Sequence, residues 1–97
     1  MNKTKVYVVS YLQKTEYDFS VYTKYLGCFA DPEDAIDTAK AELKKLVEKY
    51  KDKDMLEVSQ NYNLDDGHAY AYLGFGEDEE METHTISIDE LPVLEEI

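Results

Sequence analysis

No arginine occurs anywhere in the chain, and no lysine follows Lys53. A nucleic-acid groove needs a positive lining. Residues 55–97 hold twelve carboxylates and no basic residue other than two histidines, which argues against direct contact with nucleic acid. Tryptophan is absent and cysteine occurs once, at Cys28. One thiol excludes an internal disulfide and fits a reducing compartment. With Leu26 and Phe29 beside it, Cys28 reads as a small core residue. No apolar run approaches the roughly 20 residues that span a bilayer. The early run Val6 to Tyr11 is interrupted by Ser10 and two tyrosines, unlike the core of a signal peptide. The expectation is a cytoplasmic protein that engages no membrane. With only two prolines and four glycines, there is no low-complexity linker.

What remains is enough for one core. A chain of 97 residues forms a single domain, 1–97, and buries roughly 60–65% of its unfolded surface. Its hydrophobic fraction of 43% is that of a folded protein. Net charge is −12, and the last 43 residues account for all of it: residues 1–30 carry +2, residues 31–54 carry −2 and residues 55–97 carry −12.

Lys5 to Gln13 is rich in β-branched and aromatic residues and reads as a strand. Both of its faces are apolar, which predicts a central place in a sheet. Residues 14–18 make a polar turn, and Phe19 to Phe29 returns as a second strand. Asp31-Pro32-Glu33-Asp34 is a helix start: a capping carboxylate, a proline where no N–H is needed, and acids against the positive helix end. An apolar stripe of Ala35, Ile36, Ala39, Leu43, Leu46, Val47 and Tyr50 follows the 3.6-residue period. The helix is predicted to end near Tyr50. Three more strands are predicted at Leu56–Asn63, His68–Phe75 and Glu82–Ile88. The fold class is α+β: an antiparallel sheet of about five strands in the order ββαβββ, with one long helix on one face. The tail is expected to turn at Leu91-Pro92 and lay Val93, Leu94 and Ile97 on the core.

Turns set register, and register sets faces. A two-residue turn at Asp66-Gly67 would put Leu64, Tyr62, Gln60 and Val58 opposite Ala69, Ala71, Leu73 and Phe75. Pairing Phe75 with Glu82 would put Leu73, Ala71 and Ala69 opposite His84, Ile86 and Ile88. Both hairpins place one apolar set on one side. The other side then holds Glu57, Ser59, Asn61, Asn63, Tyr70, Tyr72, Thr83, Thr85 and Ser87. A single helix covers one side only, so this polar face is left to water or a partner. Tyr70 and Tyr72 are its natural anchors, because tyrosine brings large contact area at low entropic cost. The acids fall into two end groups. One contains Asp65, Asp66, Asp89 and Glu90. The other contains Glu57, Glu77, Asp78, Glu79, Glu80 and Glu82.

Catalytic and metal chemistry find little support. His68 stands beside Asp66 and opposite Asp89, but His84 does not converge with it, and no zinc or calcium spacing occurs. The serines have no partner base in the pattern. The expectation is a protein that is no enzyme and carries no cofactor.

The strings Val6-Tyr7-Val8-Val9 and Tyr25-Leu26-Gly27-Cys28-Phe29-Ala30-Asp31-Pro32-Glu33-Asp34-Ala35 resemble small uncharacterised bacterial and phage proteins in which a hairpin leads into a capped helix. The resemblance implies a mobile-element or accessory gene and transfers no site residues. The function expected is that of an acidic interaction protein. Its partner would be a basic protein surface, that of a nucleic-acid-binding protein it inhibits or neutralises, as anti-restriction, anti-CRISPR, antitoxin and immunity proteins do. The partner-binding residues would be Tyr70, Tyr72, Glu57, Asp65, Asp66, Glu77, Asp78, Glu79, Glu80 and Glu82. The alternative expectation is a homo-oligomeric accessory module, such as a homodimer, that self-associates through the open sheet face, or a small ligand-binding domain or enzyme.

Overall fold

The computed structural model describes residues 4–17, 19–77 and 80–93. Five strands and one helix follow each other as β1 (Thr4–Thr15), β2 (Ser20–Phe29), α1 (Pro32–Tyr50), β3 (Glu57–Asn61), β4 (His68–Phe75) and β5 (Glu82–Val93). All pairings are antiparallel, in the order β2-β1-β5-β4-β3. The centre is β5, which pairs with β1 from Thr15↔Glu82 to Thr4↔Val93 and with β4 from Phe75↔Glu82 to His68↔Asp89. β1 is interior rather than central, flanked by β2 and β5.

The helix begins as its sequence dictates. Asp31 sits in an extended conformation, and its carboxylate accepts from the Glu33 N–H at 2.9 Å. Glu33 and Asp34 occupy the first turn and Lys49 the last, each complementing the helix dipole. Ala35, Ala39, Leu43 and Leu46 are buried against Val9, Tyr11, Ala69, Ala71, Leu73, Ile86 and Ile88. Alanines on both sides of the contact let the helix lie close to β4.

Three details differ from expectation. The β3–β4 register is slipped by two residues, with Val58 opposite Leu73 and Gln60 opposite Ala71. The Asn61 side chain accepts from the Asn63 N–H at 3.0 Å, and Asn63 accepts from the Asp65 N–H at 2.8 Å. These local bonds coil the chain after Asn61. The turn then closes from the Gly67 N–H to the Leu64 carbonyl, with Gly67 at φ 78°. A slip of two keeps every side chain on its face, so the division of faces survives. The second difference is the tail. β5 runs on through Leu91 and Pro92 to Val93, pairing with Thr4 to Val6. Val93 is exposed rather than laid on the core, and Leu91 is exposed within the strand; Leu94 and Ile97 lie outside the described residues. The third is Cys28, which is exposed. It pairs with Val8, on the face that α1 does not cover.

Asp31→Ala removes the cap bond and is expected to cost about 1 kcal/mol. Urea unfolding should show a lower midpoint with an unchanged slope, and Asp31→Asn should restore most of it.

Candidate functional site

The side of the sheet opposite α1 is open. On β3, β4 and β5 it carries Glu57, Ser59 and Asn61 beside Gly74, Tyr72 and Tyr70, then Thr83, Thr85 and Ser87. Tyr70 and Tyr72 are half-buried, which places both on this face and neither in the core. The Tyr70 hydroxyl lies 3.4 Å from Ser59 Oγ. The Tyr72 ring lies across Gly74, where any Cβ would collide with it. Tyr72 is thereby aimed along β4 toward the end of the sheet that holds Glu57.

The same face continues onto β1 and β2, where its character changes. Strand alternation puts Val6, Val8 and Leu12 there with Val21, Tyr25 and Cys28, and adds Leu91 and Val93 from β5. Val21 is 61% exposed and Tyr25 64%. This apolar half was illegible without the strand order, because only the pairing of β1 with β5 joins it to the tyrosine-bearing half.

The acids lie at opposite ends of β4, whose eight residues span roughly 23 Å at 3.3 Å per step. That is well beyond the Debye length of about 8 Å at physiological salt, so the two groups act independently. They also differ in compensation. At the Gly67 end, His68 Nδ1 lies 2.8 Å from an Asp89 oxygen and Lys5 Nζ 3.1 Å from Glu90. Asp65 and Asp66 are exposed beside them. At the Phe75 end, Glu57, Glu77 and Glu80 are exposed, and no described lysine or histidine is within ion-pair distance of them. Asp78 and Glu79 lie outside the described residues. Glu82 is drawn inward, as described below.

At that end a cleft of about 650 Å³ opens between β3, the β4–β5 connection and Glu16 after β1. Its floor is Met55, Leu56, Phe75 and Met81, and Glu16, Glu57 and Glu77 supply its carboxylates. Backbone bonds tie its walls together: the Glu16 N–H donates to the Met81 carbonyl at 2.9 Å, and the Gly76 N–H donates to Asp54 at 3.2 Å. Gly76 has φ 82°, and a Cβ there would sit 2.6 Å from the Glu80 carbonyl oxygen, so glycine is needed to shape the rim.

One buried polar cluster went unread in the sequence. His84 is 1% exposed. Its Nδ1 meets the Tyr11 hydroxyl, and its Nε2 lies 2.6 Å from Glu82 Oε2. Tyr50 packs tilted against it at 4.8 Å and Phe75 stacks at 6.1 Å between ring centres. Both neighbours are satisfied by a neutral ring whose Nε2–H donates to Glu82 and whose Nδ1 accepts from Tyr11. Burial lowers the His84 pKa from 6.5 against the opposing pull of Glu82, and Lys49 lowers it further. Burial likewise pushes the Tyr11 hydroxyl up to about 12, with smaller contributions from Tyr50 and Glu82, so it stays a donor at neutral pH. Gln13 Oε1, 3.2 Å away, is a second acceptor to which that hydroxyl can turn if His84 is protonated. Enclosed by Tyr11, Tyr50 and Phe75, the imidazole serves to join β1, β5 and the end of α1. The signal in the sequence was weak: His84 occupies an inward position in an alternation otherwise filled by Ile86 and Ile88.

Among the described residues, no group of three or more histidine, cysteine or acidic side chains converges as a metal site; His68 meets Asp89 alone. No described helix is long and apolar enough to cross a membrane. Comparison with family models, with curated proteins and with solved structures finds no match.

The depressed His84 pKa has a thermodynamic consequence. Below pH 6.5 the unfolded chain takes up a proton that the folded chain resists, so acidification favours unfolding. The stabilisation is complete above pH 6.5 and is lost as pH falls below it toward the folded value. Melting temperature measured from pH 7.5 to 5.5 should therefore fall more steeply for the native protein than for His84→Gln. Parallel curves would remove the histidine from this role.

Proposed function

We propose that this chain is a non-catalytic acidic interaction protein that docks on a basic protein surface and neutralises a nucleic-acid-binding protein, in the manner of anti-restriction, anti-CRISPR, antitoxin or immunity proteins in the cytoplasm. The observation that carries the reading is the exposed group Glu57, Glu77 and Glu80, paired with no described lysine or histidine, at the end of the sheet where Glu57 and Glu77 line the cleft beside the open face of Tyr72 and Tyr70. Carboxylates with no internal cation retain their full attraction for an external one. A groove built to bind phosphate attracts them as it does nucleic acid. Asp65 and Asp66 add a second, more compensated patch at the far end. Because the carboxylates gather at turns rather than in a strand-spaced row, the reading is charge-steered docking and not a copy of the phosphate backbone.

The triple variant Glu57→Gln, Glu77→Gln, Glu80→Gln tests this. All three side chains are exposed, so stability should change by no more than about 0.5 kcal/mol. Basic proteins captured from the host by the native chain should be released at lower salt by the variant, with affinity down about tenfold and association slowed most. Equal affinity at low salt would refute the proposal.

A second reading has its own observation: the apolar half of the open face, where Val21, Tyr25, Leu91 and Val93 are exposed. A second copy stacked there would bury them. Sedimentation equilibrium should then give twice 11.2 kDa at both low and high salt, and Val21→Lys should return the monomer. A single 11.2 kDa species at all concentrations would dismiss it.

A further inference from the structure

We infer that the cleft beneath Glu57 and Glu77 receives one arginine side chain of a basic partner, an assignment that rests on the docking reading above. The cleft is more than a gathering of acids. Its floor is apolar, and two of its floor residues are methionines, side chains that reshape around an incoming group. A side chain with a long aliphatic stem covers such a floor while its charged head reaches the rim. The rim offers carboxylates from separate elements, Glu57 on β3 and Glu77 after β4. A forked guanidinium bridges two carboxylates; an ammonium acts as a point charge.

The floor includes the aromatic ring of Phe75. Guanidinium is less strongly hydrated than ammonium and stacks on aromatic rings, so this floor favours arginine further. The two backbone bonds across the walls keep the cleft open in shape before any partner arrives, which lowers the ordering cost of binding.

The test uses the full chain, labelled on backbone ¹⁵N and methionine methyl ¹³C, titrated with acetyl-Gly-Arg-Gly-amide and with its lysine and citrulline counterparts. The expected result is saturable shifts confined to Met55, Leu56, Glu57, Gly76, Glu77 and Met81, with a dissociation constant on the order of 1 mM. Lysine should bind at least about threefold more weakly, and citrulline should leave the cleft unmoved. Glu77→Gln should weaken the arginine peptide roughly twofold to fivefold, while Asp66→Asn, an equal charge change at the far end, should not. Shifts of equal size at Asp65 and Asp66, or an equal effect of Asp66→Asn, would show only an ion atmosphere and overturn the site. Equal affinity for lysine would overturn the arginine assignment. If the peptide leaves the cleft unmoved while the triple variant still loses a captured partner, the cleft is wrong and docking stands. If the peptide seats in the cleft while capture ignores the three acids, the docking reading falls, and the assignment to a partner falls with it.

Discussion

Everything else in the molecule depends on the contact between one helix and one side of the sheet. Ala35, Ala39, Leu43 and Leu46 meet Val9, Ala69, Ala71, Leu73, Ile86 and Ile88, and no second helix exists among the described residues to cover the reverse side. Burial at roughly 25 cal/mol per Å² makes that contact the main source of stability. It also decides every orientation, because a one-residue slip in any strand would turn its apolar row to water. The two-residue slip in β3–β4 was tolerated for the same reason: it left Val58, Gln60 and Leu73 on their own sides.

From that contact follows the asymmetry of the surface. Among the described residues the covered side buries one charged-type side chain, His84, with Tyr11 and Glu82 answering its two nitrogens. The open side carries the tyrosines, the hydroxyl ladder of β5 and an apolar strip across β1 and β2. Charge follows connectivity instead: turns hold the acids, so they collect where β4 begins and where it ends. At the Phe75 end Glu57 and Glu77 line a cleft with an apolar floor. Repulsion among Glu57, Glu77 and Glu80 is relieved by salt or by a cation from outside, since the lysines that pair with acids do so elsewhere, on α1 and at Glu90.

Much of this was written in local pattern. The cap at Asp31, the stripe from Ala35 to Tyr50, the β4 strand and the Phe75–Glu82 pairing depend on neighbours a few residues away. The separation of Tyr70 and Tyr72 from Ala69, Ala71 and Leu73 needed only alternation. The β3 register was misjudged because Asn61 and Asn63 spend their side chains on the local backbone, which an Asp-Gly signal does not announce. Cys28 was misjudged because its apolar neighbours describe a sequence environment, whereas exposure depends on which side of an edge strand it faces.

The amino-acid order by itself determined the element types, the α+β class, the charge imbalance and the division of β3, β4 and β5 into an apolar and a polar side, since these rest on period and composition. Only the tertiary structure decided that β5 is central, that the tail continues as strand, that β1 and β2 extend the open face with an apolar half, and that His84 lies between Tyr11 and Glu82. It alone brought Glu16, Glu57 and Glu77 around one cleft. These are pairings between segments as much as 73 residues apart, and no local preference encodes which strand lies beside which; competition for burial under a single helix does.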